Sequence, residues 1–247
     1  MRTIRSFFSG VGILAQGFRA YATSPRRMGL GVLPALIVGI VYAVGIVLLA
    51  INLDAIVTLV TPFARGWELE PLVRIAAGVA LVALAVIILV YTYAAITLAV
   101  GDPFYERIWR SVETSLGDAP AELKESVWTG VARGVGNGLR LLVITVVVSL
   151  VLFACGFIPL VGQTVVPVLG AFFGGWFLTL ELTGYAFDAR GLRLRDRRRL
   201  LGANRARTLG FGVACYLLFL VPFAAIVVMP AAVAGATYLA RESLPPR

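Results

Sequence analysis

The feature that most constrains this chain is the apolar run over residues 72–100, "LVRIAAGVALVALAVIILVYTYAAITLAV". A backbone surrounded by hydrocarbon must satisfy its own N–H and C=O groups, so a run of this kind can only be a helix. Roughly 20 residues cross a ~30 Å hydrocarbon core at 1.5 Å per residue. This run exceeds that length, so its helix must tilt or project beyond the bilayer. A second run over residues 30–53 is also long enough to cross. Its Pro34 is expected in the first helical turns, where a missing N–H costs least.

Composition agrees. Of 247 residues, 60% are hydrophobic and 14% charged, against about 25% charged in a soluble domain. The sequence therefore describes an all-α integral membrane protein. Its net charge is +9, and the basic residues flank the apolar runs as membrane topology requires. That distribution points to acidic headgroups or anions as partners and not to nucleic acid.

The absence of histidine removes the usual general base, metal ligand and near-neutral switch. Cys155 and Cys215 each sit inside apolar sequence and read as small core filler. Nothing calls for a metal or a cofactor. "GVGNG" near residue 136 lacks the strand before and the acid after that a dinucleotide site needs. No P-loop occurs, so ATP-driven transport has no support. No cleavable leader is expected, because the apolar residues of "MRTIRSFFSGVGILAQGFRAY" are interspersed and not continuous.

That N-terminal stretch, residues 1–22, has helical period. Ile4, Phe7, Phe8, Val11, Leu14 and Phe18 share one face, with Arg5, Ser9, Gln16 and Arg19 elsewhere. The pattern suits an amphipathic helix lying in the membrane interface, or one packed on the rest of the protein. Spanning helices are expected over 30–53 and 72–101, and a polar helical segment over 102–138. There Asp102 reads as an N-cap and Pro103 as the first helical residue. Gly130, Gly134 and Gly138 form a strip that another helix could approach closely.

The second half differs. Residues 139–154 and 209–221 are apolar pieces of about 16 and 13 residues, marginal for crossing a bilayer. Each is followed by a Gly/Pro-rich break and a second short piece. They predict two short hairpins, over 139–182 and 209–240, which either dip into the membrane and return or cross it. Irregular backbone at membrane depth is tolerated where it is buried or lines a wet cavity. The two apices, at residues 159–163 and near Pro222, are therefore candidate pathway linings. Pro159, Gly162 and Gln163 belong to the first. Glu181 is an acid inside an apolar run, hence a functional candidate or one half of an ion pair that holds the hairpins together. Between the hairpins, residues 183–208 form a strongly basic loop. By the positive-inside rule this loop and the N-terminus are cytoplasmic.

"VGDPFYERI", "FIPLVGQTVVPVLGAFFGGWF", "ELTGYAFDARGL", "RRRLLGANRARTLGFG" and "VMPAAVAGATYL" follow one another in order. This ordered set resembles the CysZ family of sulfate permeases, which shares a superfamily with the etoposide-induced membrane proteins. The resemblance covers residues 17–239. It implies two long crossing helices with two hemi-penetrating hairpins, and a homo-oligomer of the inner (plasma) membrane. It implies an ATP-independent, channel-like passage of sulfate, or a related oxyanion, into the cytoplasm for cysteine synthesis. The alternative function is a non-transporting membrane scaffold or lipid-interacting protein, as the distant eukaryotic relatives suggest; an enzyme is not expected. The family also implies a sulfate site at the start of the first spanning helix, on a Gly-Leu-basic-basic motif. Here that position holds Ser24-Pro25-Arg26-Arg27: the basic pair matches and the small residue departs.

The residues support that site independently. Ser24 is a good N-cap, and Pro25 suits the first helical position. The N–H groups of Arg26 and Arg27 then face outward at the positive end of the helix dipole. Two guanidinium groups would add charge and directed donors for a divalent oxyanion. The competing reading is that Arg26 and Arg27 serve only as a topology signal. The expected sulfate-binding set is thus Ser24, Arg26 and Arg27.

Overall fold

The computed structural model describes residues 2–117, 120, 127–221 and 223–245. Regular structure among them is entirely helical: α1 (Arg2–Ala22), α2 (Pro25–Ile51), α3 (Leu53–Val60), a 3-10 turn (Pro62–Ala64), α4 (Glu70–Ser115), α5 (Val127–Gly156), α6 (Val161–Leu182), α7 (Gly184–Asp188), α8 (Leu194–Gly202), α9 (Arg205–Phe219) and α10 (Ala224–Ser243). Five helices are long and apolar enough to cross a membrane: α2, α4, α6, α10 and the Gly138–Gly156 part of α5. Along α2 and α4, large apolar side chains such as Leu36, Ile40, Val44, Val79 and Ile87 are exposed. In water such surfaces would be unstable, and hydrocarbon is the solvent they fit. The chain is an all-α membrane protein.

The chain divides into two compact units, Val32–Asp102 and the remainder. In the first, α2 and α4 are joined by polar anchors in an otherwise apolar pairing. The Tyr93 hydroxyl donates to the Ala35 carbonyl at 2.9 Å, Tyr42 hydrogen-bonds Thr92, and the two tyrosine rings meet edge to face. Near the α3 end, Arg74 donates to Thr58. A hydrogen bond in hydrocarbon has little water to compete with it, so a few such pairs set the register of two greasy helices.

The second unit is built by close helix crossings. α1 packs on α9 and α10, and α6 packs on α9 and α5. A Cβ placed on Gly210 would lie 1.9 Å from the Phe7 carbonyl oxygen, and one on Gly10 would lie 2.0 Å from that of Arg207. Gly17 with Gly235, and Gly175 with Gly212, make equivalent contacts for α1–α10 and α6–α9. These glycines bring backbones within van der Waals contact, where many weak attractions sum. The buried side of α1 is therefore Gly10, Ile13, Leu14, Gly17, Ala20 and Tyr21. Of the apolar face expected from the sequence, Leu14 is buried while Ile4 and Phe8 are exposed. Packing on the protein claims the C-terminal half of the helix.

Four expectations need correction. Asp102 is not an N-cap and Pro103 does not begin a helix: α4 runs through both for 46 residues, about 70 Å at 1.5 Å per residue. Past Pro103, Tyr105, Ile108, Trp109 and Val112 are buried at helical spacing. Their burial is worth roughly 1.5–3 kcal/mol each, against about 3 kcal/mol for an interior proline. Pro34 lies in the third turn of α2 and not the first, because the helix begins at Pro25. The expected basic loop is largely helical, as α7 and α8. Here Arg197 is buried in an ion pair with Asp188, and Leu194 and Leu201 give α8 an inward face. The expected glycine strip is not matched by a close approach at Gly138, which has open space beside it. The surroundings of Gly130 and Gly134 lie outside the described residues, as does Pro222.

Neither hairpin turn uses glycine. Leu160 between α5 and α6, and Phe223 between α9 and α10, take left-handed backbone with φ of 67° and 62°. Such a conformation costs a bulky residue on the order of 1–3 kcal/mol. Both side chains are exposed, so each apex presents an apolar tip. One arm of each hairpin shows how the hairpins differ in length. α6 has 22 residues, about 33 Å, whereas α9 has 15, about 22 Å.

Candidate functional site

α2 begins at Pro25, with the Ser24 carbonyl accepting the Met28 N–H at 3.0 Å. Ser24 thus occupies the N-cap position. The turn is pinned from α1: the Tyr21 hydroxyl donates to the Met28 carbonyl at 3.2 Å. Burial pushes the Tyr21 phenol above its usual range, which keeps it an O–H donor.

The arginine pair is divided in role. Arg26 is exposed and Arg27 half-buried. Arg27 donates from Nε to Ser111 Oγ at 3.0 Å, from one terminal nitrogen to the Ala20 carbonyl at 2.9 Å, and from the other to the Ser111 carbonyl at 3.2 Å. It ties the end of α1, the start of α2 and the end of α4 together. Of the five N–H donors of a guanidinium, three are engaged, and five minus three leaves two for a ligand. The guanidinium of Arg26 is exposed, and the N–H groups in the first turn of a helix have no intrahelical partner. The arrangement can hold a divalent oxyanion by charge and directed hydrogen bonds, with no covalent chemistry.

Two residues along α4 from Ser111 lies a group that sequence reasoning missed. The Glu113 side chain is fully buried, pairs with Arg190 and lies 3.7 Å from Arg241. Arg241 also donates to the Gly117 carbonyl at 2.5 Å. Three arginines, Arg27, Arg190 and Arg241, thus converge on the last turns of α4, with Glu113 the acid among them. Glu113 Oε2 and the indole N–H of Trp109, one turn away, have no hydrogen-bond partner among the described residues. The available sequence signal was an acid continuing the apolar spacing of Tyr105, Ile108, Trp109 and Val112.

The remaining candidates lie on the first hairpin. Pro159 and Gln163 are exposed at the α5–α6 turn. Gly162 serves packing. A Cβ there would lie 2.1 Å from the Gly156 carbonyl oxygen, so only glycine lets α6 start against the end of α5. Glu181 borders a cavity of about 580 Å³ between α5, α6 and α9, with Thr145, Phe177 and Tyr216. It is exposed and is not without a partner in the chain.

The family model described as Sulfate transporter CysZ/Etoposide-induced protein 2.4 matches residues 13–230. Among curated relatives, the Sulfate transporter CysZ of Pectobacterium atrosepticum is 40% identical over 91 residues, which is 37% of this chain and 33% of that protein. That of Vibrio parahaemolyticus is 31% identical over 157 residues, 61% of this chain and 63% of the relative. That of Vibrio cholerae serotype O1 is likewise 31% identical over 157 residues, covering 62% of its length. The matched region thus spans from about a third to just over three fifths of the curated relatives.

Proposed function

The chain belongs to the Sulfate transporter CysZ/Etoposide-induced protein 2.4 family, and on that premise we propose that it is a permease that passes sulfate through the membrane without ATP. The observation that carries the reading is the start of α2, where Arg26 is exposed and Arg27 is held beside it by Ala20 and Ser111. Ser24, Arg26 and Arg27 bind the anion in this reading. Arg26 supplies the mobile charge, and Arg27 supplies a fixed one. A topology signal would need only positive charge; it would not need a guanidinium locked by three directed bonds.

The passage itself is lined at the first hairpin by Pro159 and Gln163, with Gly162 setting the approach of the two helix ends. Glu181, at the cavity edge, acts in this reading as an electrostatic anchor, since a carboxylate repels sulfate. In this reading the second hairpin enters the membrane only partway: its α9 arm, at about 22 Å, falls short of a ~30 Å hydrocarbon core, although its α10 arm is long enough to cross. The protein works in the inner membrane as a homo-oligomer, with its N-terminus and the α7–α8 segment cytoplasmic. It is a transporter and not an enzyme, as the relatives' names support.

The test is uptake of labelled sulfate into proteoliposomes without ATP, alongside calorimetric sulfate binding. Wild type is compared with Arg26→Lys/Arg27→Lys and Arg26→Ala/Arg27→Ala. Uptake that the double alanine abolishes and the double lysine weakens supports a directional guanidinium site. Wild-type binding by the double alanine would move the site elsewhere. No uptake by any of the proteins would favour a non-transporting membrane scaffold.

A further inference from the structure

A groove of about 650 Å³ lies between α6 and the α8–α9 junction. One wall is apolar and aromatic: Phe172, Phe173 and Trp176 of α6. The other carries Arg198, Arg199 and Arg205. The three arginines are exposed, and none has an ion-pair partner among the described residues. Other arginines of the same basic stretch are paired: Arg190 with Glu113, Arg197 with Asp188, and Arg207 with Glu242. Among the described residues, no acid lines the groove.

The apolar wall continues along α6. Val165, Leu169, Phe172 and Trp176 recur at helical spacing on one face, and Val165, Leu169 and Phe172 are exposed. From Val165 to Trp176 the helix rises about 16 Å at 1.5 Å per residue, comparable with much of an acyl chain. Trp176 stands where the stripe meets the arginines, the place an indole favours at a membrane–water boundary. A ligand complementary to this surface has an anionic head and a long apolar tail. A free inorganic anion would leave the aromatic wall unused, and a neutral lipid would leave three guanidinium charges unmatched.

We propose that this groove is a specific anionic-phospholipid site, with the phosphate held by Arg198, Arg199 and Arg205 and an acyl chain laid along the Val165–Trp176 face of α6. The site is distinct from the α2 start, and the proposal requires only that the chain is a membrane protein. The α9 N-terminus, whose first turn is Arg205, Ala206 and Arg207, adds its dipole to the same charge.

The test uses the full chain in vesicles of phosphatidylcholine containing brominated phosphatidylglycerol or brominated phosphatidylcholine. Bromine quenches only nearby indoles, and the contribution of Trp176 is taken as the difference between wild type and Trp176→Phe. The expected result is quenching of Trp176 at a lower mole fraction of the anionic lipid than of the neutral one. Arg198→Gln/Arg199→Gln/Arg205→Gln should erase that preference, at roughly fivefold per arginine. Arg193→Gln/Arg195→Gln, which removes two exposed arginines of the same stretch outside the groove, should leave it unchanged. Equal quenching by both lipids, or equal loss in the two variants, would overturn the site and leave only general attraction to a charged surface. Circular dichroism of each variant checks that the helices are retained.

Discussion

Replacing Arg27 by alanine should separate two roles that the arginine pair shares in sequence. The side chain makes three hydrogen bonds, one to Ser111 Oγ and two to the carbonyls of Ala20 and Ser111. A hydrogen bond to a charged group contributes about 1.5–3 kcal/mol when buried. Arg27 is half-buried, so water replaces part of what is lost, and the three together are expected to be worth about 2–3 kcal/mol. At 2–4 °C per kcal/mol for a chain of this size, the unfolding midpoint, followed by tryptophan fluorescence in detergent, should drop by about 4–12 °C. Arg26→Ala touches no such clamp and should unfold within about 0.5 kcal/mol of wild type. Sulfate reverses the comparison. A ligand at 100 times its Kd stabilises by about 2.7 kcal/mol, so saturating sulfate raises the wild-type midpoint, and Arg26→Ala should lose most of that rise. Arg27→Lys should fall between, because one ammonium cannot reach both α1 and α4. If Arg27→Ala unfolds at the wild-type temperature, the clamp contributes nothing. If Arg26→Ala keeps the full sulfate response, the anion is not held at the start of α2.

Glu113→Gln would leave Arg190 and Arg241 without their carboxylate, and breaking a buried pair in this way should cost about 3–5 kcal/mol, read as a lowered unfolding midpoint. Gly210→Ala forces a Cβ against the Phe7 carbonyl and should destabilise by at least 1–3 kcal/mol; Gly12→Ala, with open space beside it, should be neutral or slightly stabilising, and equal behaviour of the two would refute the close-crossing account of α1 on α9. Gln163→Leu should reduce sulfate flux in proteoliposomes while leaving the unfolding midpoint nearly unchanged, and unaltered flux would assign the first apex a purely structural part. Arg195→Cys should resist a membrane-impermeant thiol reagent in intact cells, and substantial labelling from outside would reverse the orientation proposed for α8.

The arginine pair shows how far a sequence pattern reaches. Ser24, Pro25 and the two arginines announce a helix start, and α2 begins there, because capping and proline preferences act within four residues of chain. Nothing local announces that Arg27 turns to Ser111, 84 positions away. Glu113 was missed for the same reason. Its partners, Arg190 and Arg241, come from distant segments, and local pattern does not say which of many arginines will face which acid. For α1 the apolar period left two placements open, the membrane interface or the protein, and the helix divides between exposed Ile4 and Phe8 and buried Leu14. What the pattern did not show is that the contact surface is organised by Gly10 and Gly17, whose value lies in having no side chain.

What the sequence determined by itself is the solvent and the class of structure. Long apolar runs with few charges have only one backbone solution in hydrocarbon, and no tertiary information is needed to reach it. It also marked the start of α2 and the α5–α6 turn, since capping and proline preferences act locally. The tertiary structure alone decided that α4 continues through Asp102 and Pro103, that the basic stretch is helical, and which arginines are consumed by Glu113, Asp188 and Glu242 while Arg198, Arg199 and Arg205 stay available. Those outcomes depend on energies of burial and pairing between residues far apart in the chain. They come into being only when the helices close on one another.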